Sequence, residues 1–189
     1  MTKYTMLNKF NLIVTTFRYR EYNAIDEMLQ LLADIGDSDA FFEVTNISGL
    51  ITGNTTLNPF RVIEKFKGII RSEDWRFRYV LRVIPIEAVT NSSLPEITMV
   101  AADLSKKKIS SSSSFKLSVE KRHNSSLRSL NLIRTIAKEI NSPVDLEAPS
   151  WIVLIEILGK VTGVVVLRDA QIFNSTSEKR NIGTMCVVD

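Results

Sequence analysis

Cysteine and histidine are almost missing from this chain: its 189 residues hold one of each, Cys186 and His123. A lone cysteine cannot close an internal disulfide or supply a CxxC redox or metal pair, which excludes a small secreted domain held by staples. A zinc centre would have to draw most of its ligands from carboxylates, which structural zinc rarely uses, so no metal and no cofactor is expected. Cys186 itself stands in Thr184-Met185-Cys186-Val187-Val188 with no cation beside it and reads as an inert thiol in an apolar tail. Glycine and proline are sparse, with 7 and 5 residues, so collagen-like and low-complexity classes are excluded. The glycines, at positions 36, 49, 53, 68, 159, 163 and 183, compose neither a Walker loop nor a GxGxxG fingerprint. Long apolar runs are missing too. The longest, residues 151–167, is broken by Glu156 and Lys160, and the start, MTKYTMLNKF, lacks the apolar core of a signal peptide. A cytoplasmic protein with no membrane partner is the expectation.

With 44% hydrophobic and 24% charged residues, the composition is that of a folded chain long enough for one ordinary domain or two small ones. The net charge of +3 hides a division. Residues 61–138 carry 16 Lys and Arg against 7 Asp and Glu, a surplus of nine positive charges, while residues 1–60 and 139–189 each carry 4 against 7. A basic centre between acidic ends suits phosphate-bearing RNA or DNA, although solvated helix faces would leave the same pattern.

Residues 10–16 are apolar and β-branched, as in a strand, and residues 21–35 place Ile25, Met28, Leu29, Leu32 and Ile35 on one helical face, ending at Gly36. Short strands are predicted at 41–45 and 50–53, a helix opens at Asn58-Pro59, and residues 77–84 alternate as a strand. Alternation sends Phe77 and Tyr79 inward and leaves Arg76, Arg78 and Arg82 on the other face. The order βαββαβ over residues 8–88 is that of a ferredoxin-like unit, an α/β (α+β) class. Beyond it, residues 94–105 read as a helix running into Lys106, Lys107 and Lys108, and Ser110 to Ser114 read as a loop. A strand is expected at 115–120, a helix at 127–140 with Leu130, Ile133, Ile136, Ala137 and Ile140 inward, and strands at 144–146, 151–158 and 161–167. Two domains follow, 1–88 and 89–189.

The residues of a catalytic constellation are scarce. His123 sits among cations in Lys121-Arg122-His123. It reads as a contact for RNA, with a general base or an incidental surface residue as the other readings. Asp34, Asp37, Asp39 and Glu43 lie close in sequence without EF-hand spacing and read as a polar loop. Glu156, inside an apolar strand, either pairs with a basic residue of a neighbouring strand or faces solvent, and solvent is the expectation. A chain without enzymatic activity of its own is expected.

Several separated motifs carry a family likeness. Arg78-Tyr79-Val80-Leu81-Arg82-Val83-Ile84-Pro85, then Phe115-Lys116-Leu117 leading to Lys121-Arg122-His123-Asn124-Ser125, a helix, Val144-Asp145-Leu146, Pro149 and Val153-Leu154-Ile155-Glu156-Ile157 occur in the order of a THUMP domain. Residues 75–170 therefore resemble that family, and most closely its stand-alone members that help a separate acetyltransferase modify tRNA cytidine. The resemblance implies tRNA binding, a ferredoxin-like unit before the THUMP domain, and an adaptor that presents tRNA to another enzyme. It places Arg122, Asn124 and Ser125 at a strand-to-helix corner, and Arg82 and Pro85 at the end of the preceding motif.

Physical reasoning about that corner agrees. A strand ending in Lys121-Arg122-His123 and a helix starting near Ser125-Ser126 would set cations beside free N–H groups, a ready phosphate site. Structured RNA is recognised by shape, 2′-hydroxyls and backbone, so a basic surface suffices. The expected RNA-binding residues are Arg76, Arg78, Arg82, Lys106, Lys107, Lys108, Lys116, Lys121, Arg122, His123, Asn124, Ser125, Arg128 and Arg134. Lys106 to Lys108, Lys116, Lys121 and Arg122 are expected to act together about one strand. The acidic N-terminal unit is expected to serve a protein partner or spacing, and DNA is not expected as a ligand. A small ferredoxin-like module that senses a metabolite is the competing reading, separable by its lack of a steep salt dependence.

Overall fold

A computed structural model describes residues 10–185, and Cys186 lies outside the described residues. In chain order the elements are β1 (Leu12–Thr15), α1 (Glu21–Asp34), β2 (Phe41–Val44), β3 (Leu50–Asn54), α2 (Pro59–Ser72), β4 (Arg82–Pro85), β5 (Ala88–Asn91), α3 (Leu94–Lys108), β6 (Phe115–Arg122), α4 (Ser129–Glu139), β7 (Trp151–Leu158), β8 (Val161–Leu167), β9 (Phe173–Asn174) and α5 (Ser175–Met185). Short 3-10 turns occupy Asp74–Arg76 and Asp169–Gln171. Among the described residues, 10–85 and 170–185 form one compact unit and 86–169 a second.

The first unit is a sheet in the order β2-β3-β1-β4-β9, every pair antiparallel. Its first four strands, with α1 and α2 as crossovers, make the expected ferredoxin-like arrangement. Asn58 caps α2 by accepting from the N–H groups of Phe60 and Arg61, and Pro59 occupies a first-turn position where no N–H is needed. Both helices bury one stripe against the sheet: Ala24, Met28, Leu31 and Leu32 from α1, and Val62, Ile63, Phe66 and Ile70 from α2. Leu29, expected on the buried stripe, is 36% exposed because Leu31 and Leu32 take that place.

Two differences from the sequence reading lie here. Residues 77–81 are not a strand, and β4 begins only at Arg82. The cause is a single carboxylate: Glu27 of α1 accepts the N–H groups of Arg78, Tyr79 and Val80 at 3.0, 3.0 and 2.9 Å, so those groups are unavailable to a strand ladder. Secondly, residues 170–185 do not belong with residues 89–169, as the division at residue 88 implied. β9 adds to the outer edge of β4, Phe173 packs edge-on against Phe66 and beside Phe77, and Lys67 pairs with Glu178 at 2.9 Å. Burial of one aromatic ring outweighs continuity along the chain.

The second unit is a sheet in the order β5-β8-β7-β6, in which β6 and β7 run parallel and the other pairs antiparallel. Helices α3 and α4 cover one face, with Ile97, Ala101, Leu132 and Ile136 meeting Phe115, Val153, Ile155, Val164 and Val166. The sequence missed β5, a polar edge strand with no apolar run. Conversely, the strand expected at 144–146 reduces to one bridge between Phe115 and Val144, and Val144 and Leu146 are exposed. In α4, Leu130 is 59% exposed and Leu132 is buried in its stead.

Candidate nucleic-acid interface

The corner after β6 is built by backbone and amide bonds rather than by charge. His123 adopts a left-handed backbone, φ 53°, and turns the chain out of the strand. Asn124 then fixes the turn at both ends: its amide nitrogen donates to the Gly159 carbonyl at 2.8 Å, and its Oδ1 accepts from the Leu127 N–H at 3.0 Å and the Ser126 hydroxyl at 3.1 Å. The Gly159 N–H returns a bond to the Arg122 carbonyl at 2.9 Å. Gly159, at φ 64°, and Lys160 form the two-residue turn between β7 and β8, where a left-handed residue matches the twist of the strands. The hairpin tip is thereby tied to the end of β6.

Helix α4 starts at Ser129, later than Ser125, so Ser125 and Ser126 lie in the loop. Arg128 is at its N-cap and no side chain caps the first turn, which leaves helix N–H groups facing outward beside exposed Lys121, His123, Arg128 and Lys160. The Lys121 ammonium donates to the Leu127 carbonyl at 2.7 Å and keeps its charge at the corner. Arg122 differs: its guanidinium meets Glu156 at 2.6 Å, and Glu156 is fully buried instead of facing solvent. The parallel register sets Glu120 level with Glu156 and Arg122 level with Leu158, so all four share one sheet face and Arg122 spends its charge inside the fold.

Residues 91–167 match the family model of the THUMP domain. This segment is a THUMP domain. No curated protein matches the chain in sequence. Among solved structures it is similar to PH1313 from Pyrococcus horikoshii Ot3, with a TM-score of 0.64 and 16% identity over 85% of this chain and 55% of that one. It is similar also to TrmN from Thermus thermophilus, with a TM-score of 0.60 and 19% identity over 84% of this chain and 45% of that one. A third likeness is to a 4-thiouridine synthetase solved as an RNA complex with bound ATP, with a TM-score of 0.51 and 13% identity over 85% of this chain and 42% of that one. At these identities the likeness is one of fold, and the chain spans about half the length of those structures.

Within the THUMP domain the other expected residues separate. The Lys108 ammonium pairs with Glu87 at 2.6 Å and donates to the Val166 carbonyl at 2.8 Å, so it anchors α3 to the sheet. Val166 is level with Val153 and hence with Leu117, five residues before Arg122. At ~3.3 Å per residue this puts Lys108 roughly 16 Å from the corner. Exposed Lys106 and Lys107 lie at that far end with it, and Lys106 lines a groove of about 420 Å³ with Asp103, Thr135 and Glu139. The single site expected around β6 is therefore two groups of cations. Lys116 is half-buried on the sheet face away from the helices, and Arg134 is exposed on α4. Lys160 escaped the sequence reading, although a Gly-Lys pair between two apolar runs signals a tight turn. At the head of α3, Glu96 sits below the usual carboxylate range because the Thr90 and Asn91 side chains donate to it.

Arg76, Arg78 and Arg82 belong to the first unit, and two of them are not a basic face. Arg76 is paired with Asp34 and with Glu73, and the Arg78 Nε donates to the Trp75 carbonyl. Both line a cleft of about 480 Å³ together with Asp26, Glu27, Asp34 and Glu73. The charge division along the sequence also dissolves in space. Residues 86–169 hold eleven Lys and Arg against nine Asp and Glu, whereas 10–85 with 170–185 hold eleven of each, so the first unit is balanced and not acidic. Among the described residues no cluster of His, Cys, Asp and Glu is arranged to hold a metal ion, and no helix is long and apolar enough to cross a membrane.

Proposed function

We propose that this protein binds tRNA and presents it to a separate modification enzyme, a cytidine acetyltransferase, without contributing chemistry of its own. The observation that carries the reading is the THUMP domain with its exposed cationic corner, where Lys121, Arg128 and Lys160 stand beside the uncapped start of α4. Such a corner grips phosphate by charge and by helix N–H groups together. The likeness of fold to TrmN and to a 4-thiouridine synthetase solved with RNA supports a place among RNA-modifying systems. Delivery accelerates a partner's reaction through positioning, which needs no catalytic group on the adaptor.

The test begins with Lys121→Glu and Lys160→Glu, which alter exposed cations without touching the Arg122–Glu156 pair. Each lost phosphate contact should lower the log–log salt slope of tRNA binding by about 0.9 unit, uniformly across tRNA species. A folded double variant that binds tRNA with the parent's affinity and slope would place the grip elsewhere. A metabolite-sensing module would bind tRNA weakly, with no steep slope. Reconstitution with a cytidine acetyltransferase and tRNA should give a higher kcat/KM when the parent is added, and modified nucleoside formed by the chain alone would overturn the adaptor role. Deleting the first 72 residues is not a usable control, because it removes the strands on which β4, β9 and α5 depend.

A further inference from the structure

We propose that the loop Phe17-Arg18-Tyr19-Arg20, with Tyr22, is a second RNA contact, one that takes unstacked nucleotides with bases against its aromatic rings and phosphates against its arginines. The proposal rests on the RNA-binding reading above and locates a ligand site in the first unit, to which the charge pattern had assigned no RNA role.

The loop joins β1 to α1 and is anchored at both ends. The Thr16 N–H donates to the Gly49 carbonyl at 2.9 Å, the Arg20 N–H to the Phe17 carbonyl at 3.1 Å, and the Ala24 N–H to the Arg20 carbonyl at 3.0 Å. Glu21, the carboxylate nearest the two arginines in sequence, accepts the Gly49 N–H at 2.6 Å, and that bond holds its pKa below the usual carboxylate range. Arg18 and Arg20 are exposed, and neither takes part in an ion pair among the described residues. Two cations thus stand outside any ion pair, in a unit that holds eleven cations and eleven carboxylates with these two included.

The aromatic residues are the second observation. Phe17 is 52%, Tyr19 89% and Tyr22 76% exposed, and these are three of the five exposed aromatic residues among the described ones. Tyr19 reaches that exposure from a left-handed backbone, φ 63°, which a bulky side chain rarely adopts. The Tyr19 N–H is bonded to the Glu21 carboxylate, which supports that conformation and leaves the ring in solvent. The register adds a third cation: Thr15 is level with Arg82, so the half-buried arginine that begins β4 lies at the same end of the sheet as the loop.

Alternating arginine and aromatic side chains on a rigid turn match the needs of a single-stranded or looped nucleotide run. Base faces stack on rings irrespective of sequence, and guanidinium groups hold phosphate bidentately. Arginine and aromatic side chains are common to protein interfaces and to RNA-binding surfaces, so the choice of RNA here follows from the RNA-binding reading above, and a protein partner is an outcome of the test.

The experiment uses the full chain and two fluorescent RNA hairpins, one ending in a four-nucleotide single-stranded extension and one blunt. The parent is expected to bind the extended hairpin more tightly. Phe17→Ala with Tyr19→Gly, the glycine being suited to the positive φ, should weaken the extended hairpin about tenfold and the blunt one less than twofold, with the salt slope unchanged. Arg18→Gln with Arg20→Gln should lower the slope on the extended hairpin by about 1.4 units. Parent-like affinity of the folded aromatic variant for the extended hairpin overturns the proposal and leaves the RNA-binding reading standing. Equal losses on both hairpins overturn it as a single-strand site. Retained RNA affinity with loss of a co-purifying protein makes the loop a protein contact and overturns it too. If the parent binds neither hairpin, the functional reading fails and this site fails with it.

Discussion

Replacing Arg122 with alanine should damage stability more than RNA binding, although it is one of the cations that the THUMP resemblance places at the strand-to-helix corner. The guanidinium is 27% exposed and lies 2.6 Å from the carboxylate of Glu156, whose side chain is fully buried. Removing one partner of a fully buried pair costs ~3–5 kcal/mol, because the remaining charge stays out of water. Here the outer end of the pair is wet, so the lower end applies, about 3 kcal/mol. For a chain of 150–250 residues each kcal/mol moves Tm by ~2–4 °C, and Arg122→Ala should therefore melt roughly 6–12 °C below the parent. Arg122→Met combined with Glu156→Leu should regain most of that loss, since an apolar pair of similar volume replaces a buried ion pair at little cost. The measurement is thermal unfolding by circular dichroism, with tRNA affinity of each folded variant measured alongside Lys121→Glu. An Arg122→Ala protein melting within about 2 °C of the parent, or a double variant melting as low as the single one, refutes the reasoning. Charge reversal at Arg122 is for the same reason a poor probe of RNA contact.

Asp37 should confer acid sensitivity. Burial pushes its pKa up, but the Thr55 and Thr56 hydroxyls and the Thr56 N–H outweigh that and hold it below the usual value of 3.8. A depressed folded pKa contributes stability above the unfolded value and loses it as pH falls through the folded one, so the parent's Tm should drop more steeply below about pH 3.8 than that of Asp37→Asn. Parallel pH profiles would sink this account. Glu27→Ala leaves three backbone N–H groups of residues 78–80 without their acceptor and should cost ~2–3 kcal/mol in urea unfolding, with no change expected if water replaces the carboxylate freely. A methyl group on Gly53 would collide with the Phe42 ring and the Phe41 carbonyl across β2 and β3, so Gly53→Ala should lose more than about 2 kcal/mol. Gly68→Ala, in open space on α2, should gain ~0.5–1 kcal/mol, and equal effects at the two glycines would contradict the packing.

Periodicity and turn chemistry were enough to read most of the architecture. The helix stripes of Met28 and Leu32 in α1 and of Val62, Ile63, Phe66 and Ile70 in α2, the Asn58-Pro59 cap, and the apolar strands on either side of Gly159-Lys160 all state their structure locally. The THUMP motifs were legible for the same reason: strand, basic corner and helix follow one another within a short stretch of chain.

What tertiary structure alone decided involves partners distant in sequence. Residues 77–81 alternate as a strand should, yet Glu27, some fifty residues earlier, captures three of their N–H groups. Phe173 follows the THUMP domain in the chain but returns to the first unit, because a ring can be buried there against Phe66 and Phe77. Charge was the least legible property. Counting Lys and Arg along residues 61–138 cannot tell an exposed cation such as Lys121 from Arg122 over Glu156, Lys108 over Glu87 or Arg76 beside Asp34. Amino-acid type determines that a side chain bears charge, but only the placement of the opposing carboxylate determines whether that charge is left for a ligand.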